Sequence, residues 1–150
     1  VPLDGSELSE CALATAVELA TKLPADVLLV QVVPLPYLFR GVAGTEAAAL
    51  EQQLADVRTY LESVARRTAG SAAGRPTIGF RAEANSKPGT TIARVAEDER
   101  ADMIVMATHG RSGVQRLVLG SVANGILRHS TVPLLLVHPH PSLTPPAARP

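Results

Sequence analysis

The sequence predicts an α/β domain: an open five-stranded parallel sheet with helices on both faces. Three observations carry this. Short runs rich in Val, Leu and Ile alternate with longer stretches whose apolar residues recur at helical spacing. The strand-like runs are almost continuously apolar, as for strands covered on both faces. Aromatic residues make up only 3% of the chain, so the core has to be built from Val, Leu, Ile and Ala. The order β-α-β-α-β-α-β-α-β implies parallel strands joined by right-handed crossovers. A chain of 150 residues fits one domain, which buries roughly two-thirds of the surface its unfolded form exposes.

Val1-Pro2-Leu3 reads as the end of a strand that should begin earlier, and a short N-terminal piece is expected to be missing. Asp4-Gly5-Ser6 is turn chemistry. Ser6 can cap the next helix, with Glu7 favourable in its first turn. Leu8, Cys11, Ala12, Ala16, Leu19 and Ala20 form one apolar face of a helix that runs to about Leu23. Pro24 ends it. Val27 to Val33 is the second strand, stopped by Pro34 and Pro36. Residues 34 to 44 form a loop with Tyr37 and Phe39. Thr45 opens a long helix with Leu50, Leu54, Val57, Leu61 and Val64 on one face, and Gly70 to Gly74 breaks it. Thr77 to Ala84 is the third strand and Asn85 to Pro88 a turn. Gly89 to Arg100 is a helix with Ile92, Val95 and Ala96 facing inward. Met103 to Ala107 is the fourth strand. Thr108 to Leu119 is a loop or broken helix, and Gly120 to His129 the last helix. Pro133 starts the fifth strand, Leu134 to Val137. The Pro- and Ala-rich tail, 139–150, is expected to be disordered.

Charge and cysteine content exclude several functions. Fourteen Lys and Arg balance fourteen Asp and Glu, and the basic residues are scattered apart from Arg66-Arg67. Nucleic-acid binders usually carry a basic patch, so no nucleic-acid partner is expected. Cys11 is the sole cysteine, which rules out an internal disulfide and any zinc site with several Cys ligands. It reads as a small buried hydrophobe. His129, His138 and His140 lack metal-binding spacing and read as surface residues. No stretch is apolar enough to span a membrane, and no signal peptide is visible, so the cytoplasm is the expected compartment.

In open parallel sheets ligands bind at the carboxyl ends of strands, where the winding reverses. The relevant tips are Asp4, Val32-Val33 and Ala107. After the last of these comes Ala107-Thr108-His109-Gly110-Arg111-Ser112-Gly113, and Gly120-Ser121 then opens a helix. Glycine lets backbone N–H groups approach an anion, and a helix N-terminus offers unpaired N–H groups with partial positive charge. The segment can form a phosphate cradle. It can equally be two plain turns and a capped helix. The P-loop pattern and its lysine are absent, as is a Gly-x-Gly-x-x-Gly fingerprint after the first strand.

The stretch from Ala107 to Asn124, followed by Leu127 to Val137, resembles the C-terminal signature of the universal stress protein family. Val1 to Glu7 resembles that family's first strand and turn, and Ala101 to Met106 its fourth strand. The resemblance covers residues 1 to 138. It implies a Rossmann-like fold of the adenine nucleotide alpha hydrolase type. Nucleotide-binding members carry Gly-x2-Gly-x9-Gly-Ser/Thr. Here Gly110, Gly120 and Ser121 match, while Ala107 stands at the first glycine position and could crowd the ribose or adjacent phosphate. Ser86 likewise replaces a glycine usual in the family.

By this resemblance Asp4 would contact the ribose or base edge, near Pro2 and Leu3, and the main chain around Val32 would pair with adenine. N–H groups at Gly110, Gly120, Ser121 and Val122 would hold the phosphates. Arg111 could screen their charge or remain solvated. His109 is either catalytic or a turn residue packed beside the ribose. The implied function is a stress or signalling domain binding an adenine nucleotide: ATP, or else ADP or AMP, with Mg²⁺ as a possible companion. The competing reading is a nucleotide-free homodimer joined through Leu134 to Val137, whose apolar edge needs covering. A slow ATPase is the third. Phosphoryl transfer needs metal ligands and positive charge at the γ-phosphate, and only Asp4 offers a suitable carboxylate.

Overall fold

The computed structural model describes residues 1–35, 45–69, 76–108 and 119–138. Its elements run α1 (Glu7–Lys22), β1 (Val27–Pro34), α2 (Thr45–Ala69), β2 (Ile78–Asn85), α3 (Pro88–Asp98), β3 (Ile104–Ala107), α4 (Ser121–His129) and β4 (Leu134–Val137). The alternation read from the sequence is therefore present, with boundaries moved by a residue or two.

Local chemistry explains where the helices start and stop. Gly5 takes a φ of 83°, which a residue without a Cβ adopts freely, and turns the chain into α1. Ser6 is the N-cap and accepts a hydrogen bond from the Ser9 N–H at 3.1 Å. Glu7 and Glu10 sit in the first turn and Lys22 in the last, each on the favourable side of the helix dipole. Pro88 opens α3, where its missing N–H leaves nothing unsatisfied. α3 ends in a Schellman arrangement: Arg100 N–H donates to Glu97 O and Ala101 N–H to Ala96 O. The apolar face of α1 differs slightly from expectation. Leu13 joins Cys11, Ala12, Ala16 and Ala20 in the core, whereas Leu8 is exposed.

β1 and β2 pair in parallel from Val27↔Ile78 to Pro34↔Asn85, and β3 and β4 from Ile104↔Leu134 to Ala107↔Val137. Residues 1–3, the expected first strand, contribute one parallel bridge, Pro2↔Val30. Leu3 N–H donates to Val30 O and Val30 N–H to Val1 O. Val30 thus turns its main chain away from β2, which puts the N-terminal segment on the opposite edge of β1. Among the described residues the five-stranded sheet takes the form of two parallel pairs with this single bridge beside β1.

The same helices cover both pairs. Val30 and Val32 of β1 and Ile104 and Met106 of β3 share a core with Ile92 and Val95 of α3 and Ile126 of α4. On the other face Val27 and Leu29 pack with Leu13 of α1 and Leu61 and Val64 of α2. Val105 and Ala107 pack with Cys11, Ala12 and Ala16 of α1. Alternate side chains along each strand therefore enter opposite layers, giving the helix–sheet–helix sandwich expected of strands apolar on both faces. α3 and α4 touch backbone to backbone: a Cβ on Gly89 would lie 2.7 Å from Gly125 Cα and from Val122 O.

Candidate functional site

A cavity of about 630 Å³ opens at the carboxyl ends of β1 and β3. Its walls come from separate parts of the chain. Pro2, Leu3 and Asp4 follow the N-terminal bridge. Gln31, Val32, Val33 and Pro34 end β1, and Met106, Ala107 and Thr108 end β3. Gly120, Ser121, Val122 and Ala123 open α4, Pro88 and Ile92 belong to α3, and Gln53, Asp56 and Val57 to α2. Of the site residues expected from sequence, Pro2, Leu3, Asp4, Val32, Ala107, Gly120, Ser121 and Val122 all line this one space. His109, Gly110 and Arg111 lie outside the described residues. Gln31, Gln53 and Asp56 line it without having been singled out. They sit in an apolar strand and on a polar helix face, and only tertiary placement brings them to the cavity.

Asp4 is held by its neighbours. Its Oδ1 accepts from Ser6 N–H at 3.0 Å and from Ser6 Oγ at 2.6 Å, and its own N–H donates to Ser9 Oγ at 3.3 Å. Ser9, itself buried, donates on to Ser6 O at 2.8 Å. The turn that caps α1 thus also fixes the carboxylate at the cavity wall.

The start of α4 is open in a different way. Gly120 is its N-cap, no described side chain caps the helix, and Ser121 stands exposed in the first turn. Asn124 Nδ2 donates instead to Leu119 O at 2.7 Å, steadying the entering chain. First-turn N–H groups without intrahelical partners carry partial positive charge.

Ala107 is buried and belongs to the cluster with Cys11 and Ala12 of α1. Its methyl is used in packing against α1. That argues against the crowding anticipated from its replacement of a glycine.

α1 and α2, which flank the cavity, are tied at Glu10. Tyr60 donates to Glu10 Oε1 at 2.8 Å, and Arg67 pairs with the same carboxylate. Burial, then the hydrogen bond to Glu10, pushes the Tyr60 phenol well above its usual range. Thr108 Oγ1 lies 3.1 Å from His138 Nδ1, and the His138 ring is exposed as expected. Among the described residues no group of three or more His, Cys, Asp or Glu could hold a metal ion. No described helix is long and apolar enough to cross a membrane.

Parallel strands sandwiched between helices, with a cleft at the strands' carboxyl ends, define a doubly wound α/β domain. Within that class the chain belongs to the universal stress protein family, whose model matches residues 1–138. Universal stress protein MJ0531 of Methanocaldococcus jannaschii is 29% identical over 139 residues, covering 91% of this chain and 79% of the relative. YxiE of Bacillus subtilis is 28% identical, covering 91% and 95%. The solved structure of MJ0577, also from Methanocaldococcus jannaschii, superposes with a TM-score of 0.78 at 25% identity over 93% of both chains. A universal stress protein solved in complex with cAMP shares the fold, with a TM-score of 0.64 at 24% identity over 92% of this chain and 93% of that one.

Proposed function

We propose that this domain binds an adenine nucleotide, ATP by preference, in the cavity at the ends of β1 and β3. The observation that carries the proposal is the mouth of α4. Its N-cap is a glycine at which a Cβ would meet no described atom, set in the wall of the same cavity that Asp4 lines. In this reading Asp4 takes the ribose and the main chain at Val32 takes the base. The N–H groups of Gly120, Ser121 and Val122 hold the phosphates, with Gly110 completing the cradle. Arg111 and His109, outside the described residues, would by the same reading serve binding and not catalysis. Family membership supports the reading, as does the relative solved with cAMP.

Calorimetry and thermal-shift series with ATP, ADP and AMP, each with and without Mg²⁺, test it. A ligand at a hundredfold excess over its dissociation constant stabilises the fold by about 2.7 kcal/mol. No response to any of the three at millimolar concentration would overturn the proposal. Ala107→Gly refines it. Because the methyl packs on α1, the change is expected to cost roughly 0.5–1 kcal/mol of stability and leave ATP affinity unaltered. Tighter binding would show that Ala107 crowds the site after all.

A second reading is self-association through β4. It is favoured by that strand's apolar sequence and by its having no partner on its outer side among the described residues. The two readings are compatible.

A further inference from the structure

Gln31 interrupts the apolar run of β1, between Val30 and Val32, both of which are core residues. It is 8% exposed, and its side-chain Oε1 is enclosed without a hydrogen-bond partner among the described residues. An amide oxygen taken from water and given no donor destabilises the fold, and a purely structural position in this strand is better filled by Val or Leu. Gln31 also lines the cavity. Val30 and Val32 pack toward α3 and α4, so the alternation along the strand sends the Gln31 side chain to the opposite layer. There the cavity is bounded by Gln53, Asp56 and Val57 of α2. The next residue, Val32, is the one whose main chain was set against the base.

Resting on the adenine-nucleotide reading, we propose that Gln31 determines base specificity by reading the purine's amino-bearing edge. A Gln carboxamide matches that edge of adenine: its oxygen accepts from the 6-amino group and its nitrogen donates to N7. A 6-oxo purine would oppose acceptor to acceptor at the same oxygen. A purine lacking the 6-substituent would leave the oxygen as unsatisfied as it is without ligand. With the carboxamide turned from its enclosed position toward the cavity, Oε1 is the recognition element and the amino group its missing donor.

The test compares ATP, inosine triphosphate and purine riboside triphosphate by calorimetry, on the unaltered chain and on Gln31→Met. Methionine keeps the length and apolar stem but offers no amide. The unaltered chain is expected to prefer ATP over both analogues by about tenfold or more. Gln31→Met is expected to lose most of that preference, keeping only what the Val32 main chain supplies, with unchanged circular dichroism and an unliganded melting temperature at least as high. Equal binding of the three triphosphates by the unaltered chain would overturn the assignment without any variant. A preference for ATP undiminished in Gln31→Met would overturn it too, while leaving the nucleotide site intact. Absence of binding by any of the three would instead overturn the nucleotide reading, and this inference with it.

Discussion

Among the described residues a Cβ on Gly120 would meet no atom within 4 Å, and its φ of −60° suits any residue. Fold stability therefore does not explain a glycine there, whereas a phosphate seated on the α4 N-terminus would. Serine is a preferred N-cap, so Gly120→Ser is expected to hold or raise stability by a few tenths of a kcal/mol, roughly the N-cap difference between the two residues. Its side chain would fill the cradle and occupy a first-turn N–H, so ATP affinity should fall by about tenfold or more, the scale of one lost charge-assisted contact. Unchanged calorimetric affinity in this variant would remove Gly120 from the site. Tyr60 gives a second prediction at this scale. Its pKa is raised in the folded protein, so its contribution is complete below the unfolded value of about 10 and is lost as pH rises beyond it. Absorbance titration should show this phenol ionising only as the fold opens. Tyr60→Phe should lower stability at neutral pH and weaken its decline above about pH 10. If Tyr60 titrates freely near its ordinary value while the fold is intact, the tie to Glu10 is not made in solution.

Helix boundaries show what sequence can and cannot disclose. The start of α1 was legible, because Asp4-Gly5-Ser6-Glu7 holds both the turn and the cap within a few residues. The end of α3 was not. A Schellman motif usually has glycine at its left-handed position, but here Arg100 occupies it with φ 54°. Nothing in an arginine announces that conformation. Arg100→Gly is expected to stabilise the protein by roughly 0.5–1 kcal/mol, read from the urea midpoint, by removing that backbone strain. A lower midpoint would mean that the side chain contributes more than its backbone costs. The α3–α4 crossing was equally hidden, since Gly89 and Gly125 look like unremarkable helix residues until the fold stacks them. A Cβ on Gly125 would lie 3.0 Å from Gly89 Cα, so the helices must part to admit it. Gly125→Ala is therefore expected to cost about 1–3 kcal/mol despite alanine's better helix propensity, as overpacking does. A melting temperature equal to or above that of the unaltered chain would show that α4 can shift freely.

At the scale of the molecule, the order of elements and the end of the sheet at which the cavity opens were readable because both follow from local patterns and a general rule of parallel sheets. Gln31 was overlooked for the same reason: one polar residue in a Val-rich run does not alter the strand pattern, and its orphaned oxygen exists only once the layers close over it. The outer edge of β4 is where pattern and structure meet. Ile104 N–H donates to Pro133 O and Thr108 N–H to Val137 O, so the odd-numbered residues turn their main chain toward β3. Leu134 and Leu136 then present theirs on the other side, and among the described residues no strand pairs there. An apolar edge with open N–H and C=O groups invites a matching edge from a second copy. Sedimentation velocity at micromolar concentration is expected to give a dimer. Leu136→Pro removes an outward donor while sparing the ladder to β3, so it should shift that equilibrium toward monomer with the circular dichroism retained. A monomer for the unaltered chain across the micromolar range would leave β4 as a free edge and set aside the self-association reading. The proposed nucleotide site, whose described walls all come from one chain, would stand unaffected.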